Sequence, residues 1–335
     1  MDKNELERRL GDALLAGAGA GSARFVACEV RDEDGKRVLL RPADAAVTIH
    51  LEFELDQPAR LAPALGLSLE DGRGLSFWAV HDAAPAKALD AGRHTAEMTI
   101  PGCFLAVGPY KVSGALLSLQ GEPALAAGPE TLVSFYVVEE SDPEGSARGP
   151  HIDHTTGLMR PRLNWSVGDL EEAQGGERKP APGLDEIAEE GVAELVSATV
   201  ADEHGEPVTT LSRGDRATIE LVWRLDQTCI FAPTFAVVDH RGVVVFRSIT
   251  REHQIESFIC PAGHRYGVVW LPLDRLRAGQ YSIEAAASDP RTRPLRRYFR
   301  EAMVARFTLV ADGEAGGAQL GAVRAPVSWA PIVKA

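Results

Sequence analysis

The sequence predicts an all-β protein made of two tandem antiparallel β-sandwiches. Three observations carry that expectation. The chain repeats itself, with Ala23-Arg24-Phe25-Val26 through Gly72 aligning to Ala193-Glu194-Leu195-Val196 through Gly242. Its apolar residues alternate with polar ones at a period of two, the signature of half-buried strands. Gly- and Pro-containing turns separate these short runs throughout. An offset of about 170 residues is a duplicated domain, since solenoid repeats run to only about 20–50 residues.

The elements follow in chain order. Leu6, Leu10, Ala13 and Leu14 share one face of a helix that ends in the Ala/Gly tract Ala16–Gly21. That stripe must dock, either on the first domain or on another module. From Phe25 the period becomes two, with Val26, Cys28 and Val30 on one face, and a turn follows at Asp32-Glu33-x-Gly35. Its copy is Asp202-Glu203-x-Gly205. Val47, Ile49, Leu51, Phe53 and Leu55 then alternate with Thr48, His50, Glu52 and Glu54. The second copy places Ala217, Ile219, Leu221, Trp223 and Leu225 opposite Thr218, Glu220 and Arg224. Further strands are expected at 64–69, 75–80, 95–100, 110–119 and 132–138. Their counterparts are 234–238, 243–249, 266–271, 281–288 and 302–310. Gly108 and Tyr110 recur as Gly279 and Tyr281, and Phe135 as Phe307. Gly157 to Trp165 recurs as Gly321 to Trp329, so each copy closes on a Trp-terminated segment. The domain expectation is an N-terminal helix at 1–21, sandwiches at 22–166 and 191–335, and a Gly/Pro-rich charged linker at 167–190.

Composition narrows the function. A formal net charge of −13 argues against nucleic acid and anionic membranes as ligands. No apolar run is long enough to span a bilayer, and Met1–Gly21 lacks the apolar core of a signal peptide. Cys28, Cys103, Cys229 and Cys260 do not duplicate with the fold or show metal spacing. They are expected to be mostly buried thiols of a cytoplasmic protein.

The opening strand, the Asp-Glu-x-Gly turn, Gly279-Gln-Tyr281-Ser-Ile283 and the closing run Gly321–Trp329 together resemble the C-terminal carbohydrate-binding domain of Wzt. Wzt is the nucleotide-binding subunit of ABC transporters that export O-antigen polysaccharide. The resemblance covers nearly the whole chain, once per repeat, and is better in the second. It implies an Ig-like or jelly-roll sandwich that binds the end of a bacterial polysaccharide, with the last strand exchanged between partners. The Walker A pattern is missing, so the ATPase is absent. The tandem is therefore expected to form a covalent pseudo-dimer, or else a homodimer. The Trp165 strand would pair with the second sandwich and the Trp329 strand with the first.

Sugar sites combine aromatic faces with Asp, Asn, Arg, His or Gln that hydrogen-bond hydroxyls. The run Phe246–Gln254 supplies Arg247, Thr250, Arg251 and His253. The equivalent run in the first copy supplies Trp78, His81 and Asp82. These seven are the candidate carbohydrate-binding residues; the alternative for each is a solvated outer sheet face. Trp165 and Trp329 are read as core or interface, Trp223 and Trp270 as core, and Tyr298 as part of a basic hairpin tip. His151-Ile-Asp153-His154 is the one metal-like cluster, but it occurs in one copy inside a loop, and no metal or cofactor is expected. No hydrolase or metalloprotease motif is present, so no catalytic activity is expected. Two functions remain: a non-catalytic polysaccharide binder linked to ABC-transporter export, or a structural adaptor for a transporter or glycosyltransferase.

Overall fold

The computed structural model describes residues 3–16, 22–69, 75–81, 88–120, 124–138, 158–159, 165–169, 192–249, 259–289, 296–310, 323 and 327–334. The chain divides into two compact units. One comprises Met1–Glu139 with Gly313–Ala335, the other Glu140–Asp312. The first unit contains α1 (Lys3–Ala16), β1 (Ala23–Arg31), β2 (Leu40–Pro42), β3 (Val47–Leu55), β4 (Leu61–Leu69), β5 (Leu75–Val80), β6 (Gly92–Ile100), β7 (Gly108–Ser118) and β8 (Leu125–Val138). The second contains β9 (Trp165–Asp169), β10 (Ala193–Asp202), β11 (Thr210–Ser212), β12 (Ala217–Leu225), β13 (Cys229–Ile230), β14 (Ala232–Asp239), β15 (Val244–Ile249), β16 (Ile259–Cys260), β17 (Gly263–Trp270), β18 (Gly279–Asp289) and β19 (Arg296–Val310). The last strands, β20 (Ser328–Trp329) and β21 (Val333–Lys334), belong to the first unit.

Each unit is a sandwich of two sheets with the same strand order. In the first, β1-β3-β6 with β20 and β21 forms one sheet and β2-β8-β7-β4-β5 the other. In the second, the sheets are β10-β12-β17-β9 and β11-β19-β18-β14-β15. Pairing within these sheets is antiparallel except for the three-residue ladders β2–β8 and β11–β19, which are parallel. The alternation read from the sequence sets the inner face: Val47, Ile49, Leu51, Phe53 and Leu55 are all buried, while the residues between them are half-buried.

The expected strand exchange is present in the pairing. Trp165–Asp169 lies against β17 in the second unit. Ser328 and Trp329 pair with Thr99 and Met98 in the first, and Val333 and Lys334 with Thr95 and His94. The β9 strand runs three residues into the stretch read as linker; residues 170–190 lie outside the described residues. So do the side chains of Trp165 and Trp329.

Motifs shared by the copies have visible causes. Asp32 Oδ1 accepts hydrogen bonds from the Asp34 and Lys36 amides, at 3.0 and 2.8 Å. Asp202 Oδ1 does the same with His204 and Glu206, at 2.8 and 3.0 Å, which holds its carboxyl below the usual range. Both turns need positive φ at the following glycine, +76° at Gly35 and +81° at Gly205, which a side chain would resist. The Gly-x-Tyr signature anchors a strand to its preceding loop. Tyr110 donates to Ala106 O at 2.8 Å and stacks on Phe135; Tyr281 donates to Arg277 O at 2.7 Å and stacks on Phe307. Burial and the Asp239 carboxylate push the Tyr281 hydroxyl above its ordinary range.

Helix α1 docks on the first sandwich. Leu6, Leu10 and Ala13 are fully buried against Ala62, Ala64, Trp78, Val80, Ala115 and Leu117, the outer face of β4, β5 and β7. Burial of each leucine contributes roughly 1.5–3 kcal/mol, enough to hold a helix whose isolated form is marginal.

The cysteines are less buried than the sequence suggested: Cys28, Cys103 and Cys229 are half-buried and Cys260 is buried. Desolvation, with a smaller contribution from Glu29, nonetheless pushes the Cys28 thiol up to about 12 from 9.0. Iodoacetamide at pH 8 should modify Cys28 at least roughly tenfold more slowly than a thiol in the unfolded chain, because the thiolate is the nucleophile. The sign for stability is fixed by the same shift. As pH rises above 9.0 the unfolded chain ionises first, so folding is disfavoured progressively toward pH 12.

Candidate carbohydrate-binding faces

The two copies present equivalent sheet faces with different chemistry. On the first copy, the outward residues of β1, β3 and β6 form an ion-pair lattice. Arg31 bonds Glu29 at 3.1 Å and lies 3.7 Å from Glu97, and His50 Nδ1 lies 2.9 Å from the same Glu97. Arg93 pairs with Glu52 at 3.3 Å and Arg24 with Glu54. Thr48 and Thr99 hydroxyls meet at 3.3 Å. These polar groups satisfy one another, and the described outward side chains of this face include no Phe, Tyr or Trp.

On the second copy the same ladder reads differently. Thr218 pairs with Trp270, Glu220 with Val268, Val222 with Tyr266 and Arg224 with His264. Thr199 lies opposite Glu220 on β10. The positions of Thr95, Glu97 and Thr99 in the first copy are thus Tyr266, Val268 and Trp270 in the second. Trp270 is 43% exposed, and the exposed Arg216 places its guanidinium 4.6 Å from the ring centroid. Tyr266 and Trp270 stand four residues apart on one strand, so both rings belong to one face, with Val268 between them and Glu220 opposite Val268 on β12. This corrects the reading of Trp270 as core. Trp223 is core, fully buried between Phe231 and Phe299 at 5.5 and 5.2 Å.

The predicted run maps to the other sheet. Arg247 is half-buried on β15; it pairs with Ala236, which pairs with Glu284 on β18. An arginine and a glutamate therefore flank a small residue across three strands of one face. Thr250, Arg251, His253 and Asp82 lie outside the described residues, as do His151, Asp153 and His154. The register equivalent of Arg247 in the first copy is Trp78, which pairs with Gly66, which pairs with Ser113. Its indole is 6% exposed and lies under α1, so it is not open as a stacking platform. A Cβ at Gly66 would stand 2.5 Å from that ring, which is why glycine sits there and alanine sits at 236. His81 is 1% exposed; its Nε2–H donates to Ala330 O at 2.9 Å and its amide to Pro63 O. It fastens the β20 segment to the first sandwich. Tyr298, expected at a hairpin tip, is buried at 3%.

Among the described residues no group of three or more His, Cys, Asp or Glu is placed to hold a metal ion. No described helix is long and apolar enough to cross a membrane.

Residues 186–317 match the family model of the Wzt C-terminal domain. That match falls on the second sandwich. A crystal structure of the C-terminal domain of Wzt is 13% identical, with a TM-score of 0.35, covering 40% of this chain and 82% of that one. A β-D-mannosidase from Dictyoglomus thermophilum is 11% identical at TM-score 0.25, over 80% of this chain and 30% of the enzyme. The C-terminal domain of the Streptococcus pyogenes antigen I/II-family protein AspA is 9% identical at TM-score 0.21, over 87% of this chain and 99% of that one. No curated protein matches. The first sandwich shares the strand order, turns and tyrosine anchors of the second.

Proposed function

We propose that this chain is a non-catalytic binder of a bacterial surface polysaccharide, acting in the cytoplasm in connection with ABC-transporter export, and that the second sandwich carries the site. The observation that supports it most is the half-exposed Trp270 on a sheet face within the residues that match the Wzt C-terminal domain model. An indole offers a flat apolar surface to the C–H face of a pyranose. Glu220 and Thr199, both half-buried on the same face, supply partners for sugar hydroxyls. The first copy's equivalents are tied up in ion pairs on one sheet and covered by α1 on the other. One binding face per chain follows from this reading, with the first sandwich as scaffold.

The Arg247–Ala236–Glu284 row favours a second placement, with Arg247, Thr250, Arg251 and His253 around the sugar. One experiment separates them: an array of bacterial O-polysaccharides screened with the full chain, Trp270→Ala and Arg247→Ala. Loss of an aromatic anchor should weaken binding by roughly tenfold or more. A specific hit weakened by Trp270→Ala alone supports the aromatic face, and one weakened by Arg247→Ala alone supports the other. Folded protein that binds nothing on the array would sink the sugar reading in favour of a structural adaptor.

A further inference from the structure

Cys229 and Cys260 lie directly opposite one another in the two-residue ribbon β13–β16, with Ile230 opposite Ile259. Sequence spacing hides this, because β14 and β15 intervene. The first copy makes the same bridge with different residues. Ala59 pairs with Leu89, and they exchange both backbone hydrogen bonds at 3.0 and 2.9 Å. An antiparallel pair that exchanges both bonds holds its Cα atoms about 5.5 Å apart, inside the range a disulfide spans. The second copy thus has cysteine at both positions of a bridge that the first copy builds from alanine and leucine. The ribbon's register is pinned on its C-terminal side, where Arg265 Nη2–H donates to Pro261 O at 2.6 Å.

We propose that Cys229 and Cys260 are a redox-active pair that forms a cross-strand disulfide in the presence of a disulfide oxidant. With oxidised glutathione the Cys229 thiolate attacks one glutathione sulfur. The glutathione S–S bond breaks and one glutathione thiolate leaves. The Cys260 thiolate then attacks the Cys229 sulfur of the mixed disulfide, the protein S–S bond forms, and the second glutathione leaves. Two electrons pass from the cysteine pair to glutathione, and the two cysteine protons are taken up by the two departing thiolates. Cys229 is the first nucleophile because it is the less buried of the two. The bond closes the chain between β12 and β17, the two strands that carry Thr218 and Trp270, and so locks the base of the β14–β15 hairpin.

The test uses the full chain incubated with oxidised glutathione, then denatured, alkylated and mapped by tryptic mass spectrometry. The expected result is a Cys229–Cys260 cross-linked peptide, with alkylatable thiols falling from the four in the sequence to two, and full reversal by dithiothreitol. The oxidised protein should unfold at a temperature higher by about 5 °C, since the bond restrains a loop of the unfolded chain. Cys229→Ser should abolish the cross-link, and Cys260→Ala should do so independently. Recovery of both cysteines as alkylated or separately glutathionylated residues in folded protein would overturn the proposal. So would a bridge that forms to Cys28 or Cys103 instead.

Discussion

Trp78→Ala should destabilise the first sandwich by about 3–5 kcal/mol, the range for emptying a large aromatic from a packed core. The indole lies between Gly66 beneath it and the leucines of α1 above, so its removal leaves a cavity and loosens the helix as well. Gly66→Ala attacks the same contact from the other side. Its Cβ would come within 2.5 Å of the ring, and the forced shift should cost about 1–3 kcal/mol. Chemical denaturation followed by tryptophan fluorescence measures both. Both variants, where they remain folded, should keep the glycan binding of the parent. A Trp78→Ala protein of unchanged stability would mean that the indole is not part of this core.

The second large effect concerns where the chain can be cut. Residues 140–312 are contiguous and contain all of the second unit, including β9. Expressed alone they should give a cooperatively folding monomer. Residues 191–335, the boundaries that the repeat alone suggests, lack the strand that pairs with β17 and carry β20 and β21 without their β6 partner. An unpaired sheet edge is a template for other chains, so this fragment should dimerise or aggregate. Size-exclusion chromatography with light scattering distinguishes the outcomes. A well-behaved 191–335 monomer beside an unfolded 140–312 would contradict the pairing described above.

Much of the fold was legible because duplication removes the ambiguity of single readings. Val47–Leu55 and Ala217–Leu225 repeat the same inward positions, so each supports the reading of the other as a strand. The exchange of the Trp-terminated strands was legible from the resemblance, since nothing in the spacing of Trp165 or Trp329 dictates a partner. The site was less readable. On β17, Val268 and Val269 are both apolar, so alternation does not say which parity faces the core, and an apolar Trp270 reads as inward. Setting Trp270 against Thr99 of the first copy would have given its phase, because Thr99 sits among plainly outward residues. Trp78 failed for the opposite reason. Its strand reads as one with an outer face, and only docking of α1, a contact between segments far apart in sequence, buries that face. The Cys229–Cys260 pair was invisible for the same reason, as its register exists only once β14 and β15 have folded out between the two residues.

The exchanged terminal strands carry an evolutionary consequence. A homodimer that swaps identical strands is bound by symmetry: a residue changed in one protomer changes in both, so its two faces gain or lose a ligand together. Once the two copies share a polypeptide, that constraint is gone, and each unit is free to change alone. One half carries the glutamates and arginines of an ion-paired surface, while the other carries Tyr266 and Trp270 where the first has Thr95 and Thr99. A tandem of this form permits a division of labour that no symmetric pair can reach.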